Sequence, residues 1–221
     1  MLVMRLAHFR PLSVAFAVLA ASCVLPAQST RVQDLGLGKL LVASRKAPDP
    51  IFAETVILLV RYENDGTVGL AINRRTKVPV SLALEGLNGS KQRSEPVYSG
   101  GPVEPKGVLA LVRANTMPEG ADHVIGKVYL VSSKALLEKS LAGKAGPNEL
   151  RVYLGYSGWG GGQLESEVKR GFWSIVPGTA DRAFDPDPDS LWSRLIGKED
   201  QPIAGAKIPA LVFAAIPAGT R

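Results

Sequence analysis

Residues 150–176 constrain the fold most, because they predict four structural elements in succession. An apolar run at residues 150–156 predicts a strand, and the glycines clustered at positions 158–162 predict a tight turn after it. The charged segment 163–170 then predicts a helix, and residues 172–176 predict a second strand. We therefore expect a tight strand-to-helix turn, with Trp159 packed into the core.

Apolar and β-branched runs predict most of the remaining strands. Residues 55–62 are typical of a strand covered on both faces, and residues 64–66 are a hairpin signal before a partner strand at 67–72. Other predicted strands lie at 38–44, 107–113 and 124–131, and predicted helices lie at 80–87, 133–141 and 189–196, the last two capped by Ser133 and Asp189. Because strands outnumber helices and the two do not alternate regularly, we expect an α+β fold.

The first 29 residues have the pattern of an export signal. Arg5 and Arg10 precede an uncharged apolar run at 12–25, and Ala27-Gln28-Ser29 follows, with small residues at the two positions that a cleavage site needs. The run is shorter than the roughly 20 residues of a spanning helix, so we expect cleavage, no membrane span afterwards, and a periplasmic or secreted protein. The alternatives are a lipoprotein anchored through Cys23 and a cytoplasmic protein. A folded domain would then occupy residues 30–198, followed by a Pro/Ala-rich tail at 199–221.

Loss of the leader would remove much reactive chemistry from the chain. Cys23 is the one cysteine, and His123 would be the one remaining histidine. Such a chain has no disulfide, thiolate nucleophile or multi-histidine metal site, and it contains neither a Walker A nor a GxGxxG motif. The sequence therefore predicts no catalytic residue, no metal ligand and no cofactor.

The positive charge of the chain is spread along its length. The net charge is +6, and the densest basic cluster, Arg74, Arg75 and Lys77, is typical of a solvated loop. No helix-turn-helix pattern, zinc finger or basic helix is recognisable. We therefore expect no nucleic-acid partner if the protein is exported.

Four sequence motifs occur in a fixed order over residues 38–195. They are GKLLVAS at 38–44 with Asp49-Pro50, Phe52 and Thr55-Val56; VGLAINR at 68–74; VYSGGPV at 97–103; and VYLGYSGW at 152–159 with GQLE, Glu167 and Trp173. Together they resemble the YqgE/AlgH family of bacterial proteins. The resemblance implies an α+β fold in which bent mixed β-sheets form a pseudo-barrel with flanking helices. The chain departs from the family in its export signal, in Arg75 where proline is common, and in Val112 where many members have histidine.

The same resemblance suggests a ligand-binding cleft, if the motifs cluster in the fold. The residues that would line it are Asn73, Arg74, Gly100, Gly101, Tyr156, Gly158, Gln163 and Glu165. Glycines let a ligand approach the backbone, and a helix start can bind an anion. Glu165 opposes an anion there, because it lies in the first turn of the predicted helix.

Three functions remain open on the sequence. The first, which we favour, is an exported, non-catalytic binding or accessory protein for a small ligand or a protein partner. The second is a hydrolase-like enzyme using a serine or carboxylate, which needs Ser157 or Ser99 within hydrogen-bond reach of Glu165, Asp122 or His123. The third is a transcriptional regulator, the label that family members often carry, and it requires that the leader is not a signal.

Overall fold

The computed structural model describes residues 31–196, so the predicted leader, with Cys23, and the predicted tail lie outside the described residues. The strands are β1 (Lys39–Ala43), β2 (Val56–Glu63), β3 (Gly66–Ala71), β4 (Arg75–Pro79), β5 (Pro96–Ser99), β6 (Val103–Arg113), β7 (Asp122–Ile125), β8 (Val128–Val131), β9 (Leu150–Gly160) and β10 (Trp173–Pro177). The helices are α1 (Val80–Ala83), α2 (Lys134–Ala142), α3 (Gln163–Lys169), α4 (Ala180–Ala183) and α5 (Leu191–Leu195). None of these helices is long and apolar enough to cross a bilayer.

The strands form one curled, mostly antiparallel sheet. Its order is β10-β1-β2-β3-β9-β6-β8-β7, and β4 pairs with β5, which in turn runs parallel to β9. The edge strand β7 curls back until it contacts β2. The result is a half-barrel with a few short helices, which confirms the expected α+β class with bent mixed sheets.

Strand β2 shows why the sheet curls around a core. Val56, Leu58 and Val60 face the barrel interior, whereas Ile57 and Leu59 belong to an outer layer covered by α3. Both faces are therefore buried, as the apolar run predicts. The β2–β3 hairpin is confirmed as well, with Glu63 paired to Gly66.

The C-terminal part of the described chain closes one end of the barrel. Phe184 before the short 3-10 turn Pro188–Ser190, and Leu191 and Trp192 in α5, are buried in the same cluster as the interior residues of β1 and β2. The Trp192 indole donates a hydrogen bond to the Ala43 carbonyl at 2.8 Å. The interior is thus sealed at the end where β1 finishes and β2 begins.

One predicted strand, one predicted loop and one predicted helix cap need correction. The predicted strand 124–131 is two strands, β7 and β8, because the chain reverses at Gly126 with φ of 53°. The basic cluster expected as a solvated loop includes strand β4, which pairs with β5. Arg75 of β4 forms an ion pair with Asp189 at 2.5 Å, so the Asp189 carboxylate does not cap α5, which begins at Leu191.

The observed helices match the predicted helices only in part. Ser133 caps α2 as predicted, since its hydroxyl accepts from the Leu136 N–H. The helix predicted at 80–87 ends at Ala83, and α4 was not predicted. Strand β9 continues as far as Gly160, so the tight turn is confined to residues 161–162, while Trp159 is buried as predicted.

Candidate functional site

The open end of the half-barrel is a pocket of about 650 Å³. Its floor is apolar and consists of Val60, Val68, Leu109, Leu130 and Tyr156. From Ile72, directly after β3, back along that strand, the inward side chains change from fully buried Ile72 and Leu70 to half-buried Val68. The pocket is therefore the part of the barrel interior that the C-terminal segment does not fill.

The rim of this pocket is predominantly acidic. Glu63, Glu104 and Asp122 are exposed there beside Arg61 and His123. Within residues 31–196, none of these three carboxylates forms an ion pair, although six ion pairs occur elsewhere. His123 lies in β7, where its Nε2 is 3.1 Å from the Gly126 carbonyl of the β7–β8 turn and its ring meets Tyr129 edge-on.

A bulge in β6 brings Glu104 to the rim. Pairing with β9 is interrupted between Val103 and Val108, and Glu104 has φ of 44°, a left-handed conformation that costs a non-glycine residue about 1–2 kcal/mol. Bulges and strained residues of this kind concentrate beside binding sites. Sequence reasoning missed this site, although Pro105 and Gly107 inside a strand are a signal for a bulge.

Asn73 and Arg74, two of the predicted site residues, anchor the segment that precedes β2. The Asn73 side chain accepts from the Val56 N–H and donates to the Glu54 carbonyl, both at 2.8 Å. Arg74 donates to the Thr55 hydroxyl and to two backbone carbonyls, those of Ile51 and Ala53. Their hydrogen bonds therefore hold residues 51–56 in place.

Gly100 and Gly101 are needed for close packing between the β5–β6 turn and β9. A Cβ atom at Gly100 would lie 2.2 Å from the Gly155 carbonyl oxygen, and one at Gly101 would lie 2.3 Å from the Tyr156 carbonyl carbon. No side chain fits either position. Gly158 is not part of this close packing, because it is exposed and pairs with Val68 in the sheet.

Residues at the start of α3 fasten that helix to the sheet. Gln163 accepts from the Gly160 N–H and donates to Glu167. Glu165 accepts from the Tyr62 hydroxyl at 2.8 Å. Burial, and secondly this hydrogen bond, raise the pKa of Tyr62 to about 12.

The eight predicted residues do not line one cleft. Tyr156 faces the 650 Å³ pocket, whereas Arg74 and Gly101 line a second cavity of about 260 Å³. Neither Gln163 nor Glu165 lines either cavity. The ligand-binding role of the eight residues stays a prediction. A single ligand site can include only those of them that lie together in one part of the fold.

The two candidate serines are not arranged as nucleophiles. Ser157 is fully buried, and its hydroxyl lies 3.4 Å from the Gly100 carbonyl. Within the described chain, neither Ser157 nor Ser99 hydrogen-bonds to Glu165, Asp122 or His123. Residues 31–196 also contain no group of three His, Cys, Asp or Glu side chains that could hold a metal ion.

Comparison with known proteins finds a matching family model and related sequences. The family model described as AlgH-like matches residues 40–204. A UPF0301 protein of Streptomyces avermitilis is 34% identical over 76% of this chain and 88% of its own length. A UPF0301 protein of Chlorobium luteolum is 31% identical over 80% of this chain and 95% of its own length.

Solved structures share the same curled sheet. The solution structure of the AlgH protein from Pseudomonas aeruginosa has a TM-score of 0.60 and 29% identity over 71% of this chain and 85% of that one. A crystal structure of a Corynebacterium diphtheriae protein has a TM-score of 0.62 at 22% identity, over 77% of this chain and 89% of that one, and supports the fold alone. The half-barrel, the order of the four motifs and these relatives agree, and the chain belongs to the AlgH-like family.

Proposed function

We propose that this protein is an exported, non-catalytic binding protein that holds a small amphipathic cation in the open end of its half-barrel. One observation carries the proposal: an apolar floor lies beneath a rim whose carboxylates have no ion-pair partner in the part of the chain that the structure describes. The leader pattern at residues 1–29 supports export.

The size and lining of the pocket suit a small organic molecule. A volume of about 650 Å³ lies within the roughly 300–1,000 Å³ of typical ligand sites. The floor residues Val68, Leu109 and Tyr156 are half-buried, so a bound alkyl or ring system would cover them. Each buried CH₂ group contributes about 0.8 kcal/mol to such binding.

The charge of the rim favours a positive head group. The chain as a whole carries a net charge of +6, yet among the described residues of the rim three carboxylates, those of Glu63, Glu104 and Asp122, outnumber the single arginine and the single histidine. An ammonium group would find carboxylates that are not already neutralised. Because these groups are exposed, added salt should screen the attraction.

Calorimetry with three eight-carbon probes tests this function: n-octylammonium, octanol and octanoate. We expect octylammonium to bind about tenfold more tightly than octanoate, which corresponds to about 1.4 kcal/mol, with octanol between them. Salt should weaken octylammonium binding and leave octanol unchanged. Equal affinity for the ammonium and the carboxylate would contradict the proposal.

Matched variants locate the binding. Ser132→Trp places a large ring at the pocket edge, where Ser132 is exposed, and should abolish binding of all three probes. Ser166→Trp makes the same change at an exposed position of α3, outside the pocket, and should not. Glu104→Gln should weaken octylammonium alone, while Glu119→Gln, at an exposed site away from the pocket, should have no effect.

Export has its own test, the intact mass of protein from soluble extracytoplasmic, membrane and cytoplasmic fractions. We expect a soluble extracytoplasmic form lacking about thirty residues, as signal cleavage requires. A lipid on Cys23 would instead show a tethered protein, and an intact leader in the cytoplasm would overturn export.

A further inference from the structure

A second, smaller cavity lies on the opposite face of β9 from the barrel interior. Successive side chains of a strand point to opposite faces, and Tyr156 lines the barrel pocket while Ser157 lines the other cavity. This cavity has a volume of about 260 Å³. Phe52, Arg74, Ser99 and Ser157 meet there, so each of the four sequence motifs contributes a residue to it.

Arg74 brings a positive charge to this cavity, and no carboxylate within residues 31–196 pairs with it. All of its hydrogen bonds go to neutral groups, at 2.7–3.0 Å. Four other arginines of the described chain have carboxylate partners at 2.5–2.7 Å: Arg75, Arg93, Arg113 and Arg194. Five further arginines have no carboxylate partner within residues 31–196. Arg151 is sealed between the Tyr98 and Phe184 rings, Arg45 and Arg170 stack on single aromatic rings, and Arg182 donates to the Pro177 carbonyl; none of these four lines either cavity. The fifth, Arg61, lines the barrel pocket.

Two hydrogen-bond donors, on residues that line the cavity, have no partner within residues 31–196. One is Nη1 of Arg74, since the other two guanidinium nitrogens make every hydrogen bond of this side chain. The other is the hydroxyl of Ser99, an exposed residue on the same cavity. A guanidinium and a hydroxyl together form a recognition site for a small oxyanion.

The walls of the cavity restrict the kind of anion. Ile51, Phe52, Ala71 and Pro102 line it, and the loop carboxylates Asp49 and Glu54 do not. Its volume is that of roughly nine water molecules at about 30 Å³ each. A phosphate dianion would lose much hydration for few donors, whereas a monocarboxylate needs fewer donors and can place a short apolar group against these walls.

We propose that this cavity binds a small monocarboxylate through the Arg74 guanidinium and the Ser99 hydroxyl. The site is separate from the barrel pocket and takes a ligand of opposite charge. The two proposals therefore stand or fall independently, because octylammonium reports on one site and a short carboxylate on the other.

Proton–nitrogen NMR titration of the protein tests the proposal with propionate, propionamide and inorganic phosphate. We expect propionate to shift the amide signals of Ser99 and Gly101 and the side-chain Nε–H signal of Arg74. Propionamide has the same shape without the charge and should cause no shift there. Equal shifts with propionamide, or stronger binding of phosphate, would overturn the carboxylate assignment.

Variants connect those shifts to the two donors. Ser99→Ala should weaken propionate binding about tenfold, the effect of one hydrogen bond to a charged group. Arg74→Lys keeps the charge but loses the planar fork, so it should weaken binding by at least as much. Arg61→Lys, at the barrel pocket, is the matched control and should leave propionate binding unchanged. Unchanged affinity in Ser99→Ala, in a protein whose spectrum is otherwise native, would refute the site.

Discussion

At the scale of single residues, one carboxylate fastens α3 to the outer layer of the sheet. Glu167 accepts hydrogen bonds from the indole N–H groups of Trp159 and Trp173, at 3.0 and 2.8 Å. Both indole rings are buried and meet edge-on. The role of Glu167 is thus to satisfy two buried donors that would otherwise be unpaired.

Glu167→Ala should lower the free energy of unfolding by about 2–6 kcal/mol, because it leaves two buried donors unpaired and each costs about 1–3 kcal/mol. Urea unfolding followed by tryptophan fluorescence measures this change. Glu119→Ala removes an exposed carboxylate and should change stability by less than about 0.5 kcal/mol. Similar values for the two variants would show that Glu167 is not needed.

Tyr62 makes stability depend on alkaline pH. Burial, and then the hydrogen bond to Glu165, raise its pKa from 10.0 to about 12. Between these values the folded state keeps a proton that the unfolded state releases, so this contribution is complete below pH 10 and is lost as the pH rises towards 12. Burial also raises the pKa values of Tyr98 and Tyr153, and these act in the same direction.

Unfolding free energies measured from pH 9 to pH 12 should therefore fall less steeply for Tyr62→Phe than for the unchanged protein. Tyr62→Phe retains the ring and removes the ionisable hydroxyl, so the difference between the two curves isolates this group. Parallel curves would rule out the linkage to Tyr62.

At the scale of elements, β9 organises the molecule. It pairs with β3, β5 and β6, and its two faces border the two cavities. The β5–β6 turn can approach it only because Gly100, Gly101 and Gly155 lack side chains. These three glycines allow two backbone segments to pack closely, whereas the exposed Gly160 has open space around it.

Gly101→Ala should destabilise the protein by about 3 kcal/mol or more, since its Cβ would overlap the backbone of Tyr156. Gly160→Ala adds the same methyl group to the same region and should be neutral or slightly stabilising, because nothing lies within 4 Å and alanine has less unfolded-state freedom. Chemical denaturation of both proteins gives the comparison. A tolerated alanine at 101 would contradict the close approach.

At the scale of the whole molecule, the described chain is a half-barrel closed at one end and open at the other. Trp192 is central to the closed end, where it is buried, donates to the Ala43 carbonyl and lies under Arg45. The same interior cluster ends at half-buried Val68 and Leu109 at the open end. The asymmetry between the two ends creates the larger pocket.

Trp192→Ala should cost about 3–5 kcal/mol, as expected for deleting a large core side chain. Trp192→Phe keeps most of the packing and should cost about 1–2 kcal/mol, chiefly through the lost hydrogen bond. Leu82→Ala, at a side chain that is 65% exposed, is the surface control. Equal losses for Trp192→Ala and Leu82→Ala would show that the C-terminal segment does not seal the core.

Much of the local structure could be predicted, because short-range patterns determine it. The β2–β3 hairpin follows from an apolar run and a turn signal, and the start of α2 follows from the Ser133 cap. Strand β4 could not be predicted, since its charged residues gain order through distant partners such as Asp189. The reversal at Gly126 was missed because apolar residues lie on both sides of it, at 124–125 and at 128–131.

By itself, the sequence determined the strand-rich class, the family and the burial of Trp159, because each depends on patterns within a few residues or on motif order. Only the tertiary structure decided where a ligand could bind. Tyr156 and Ser157 are adjacent in the chain, yet they line different cavities because β9 exposes alternate side chains on opposite faces. Tyr62 and Glu165 lie 103 positions apart and meet at 2.8 Å. Sheet curvature creates such contacts and cavities, and curvature follows from how all the strands pack together rather than from any one segment.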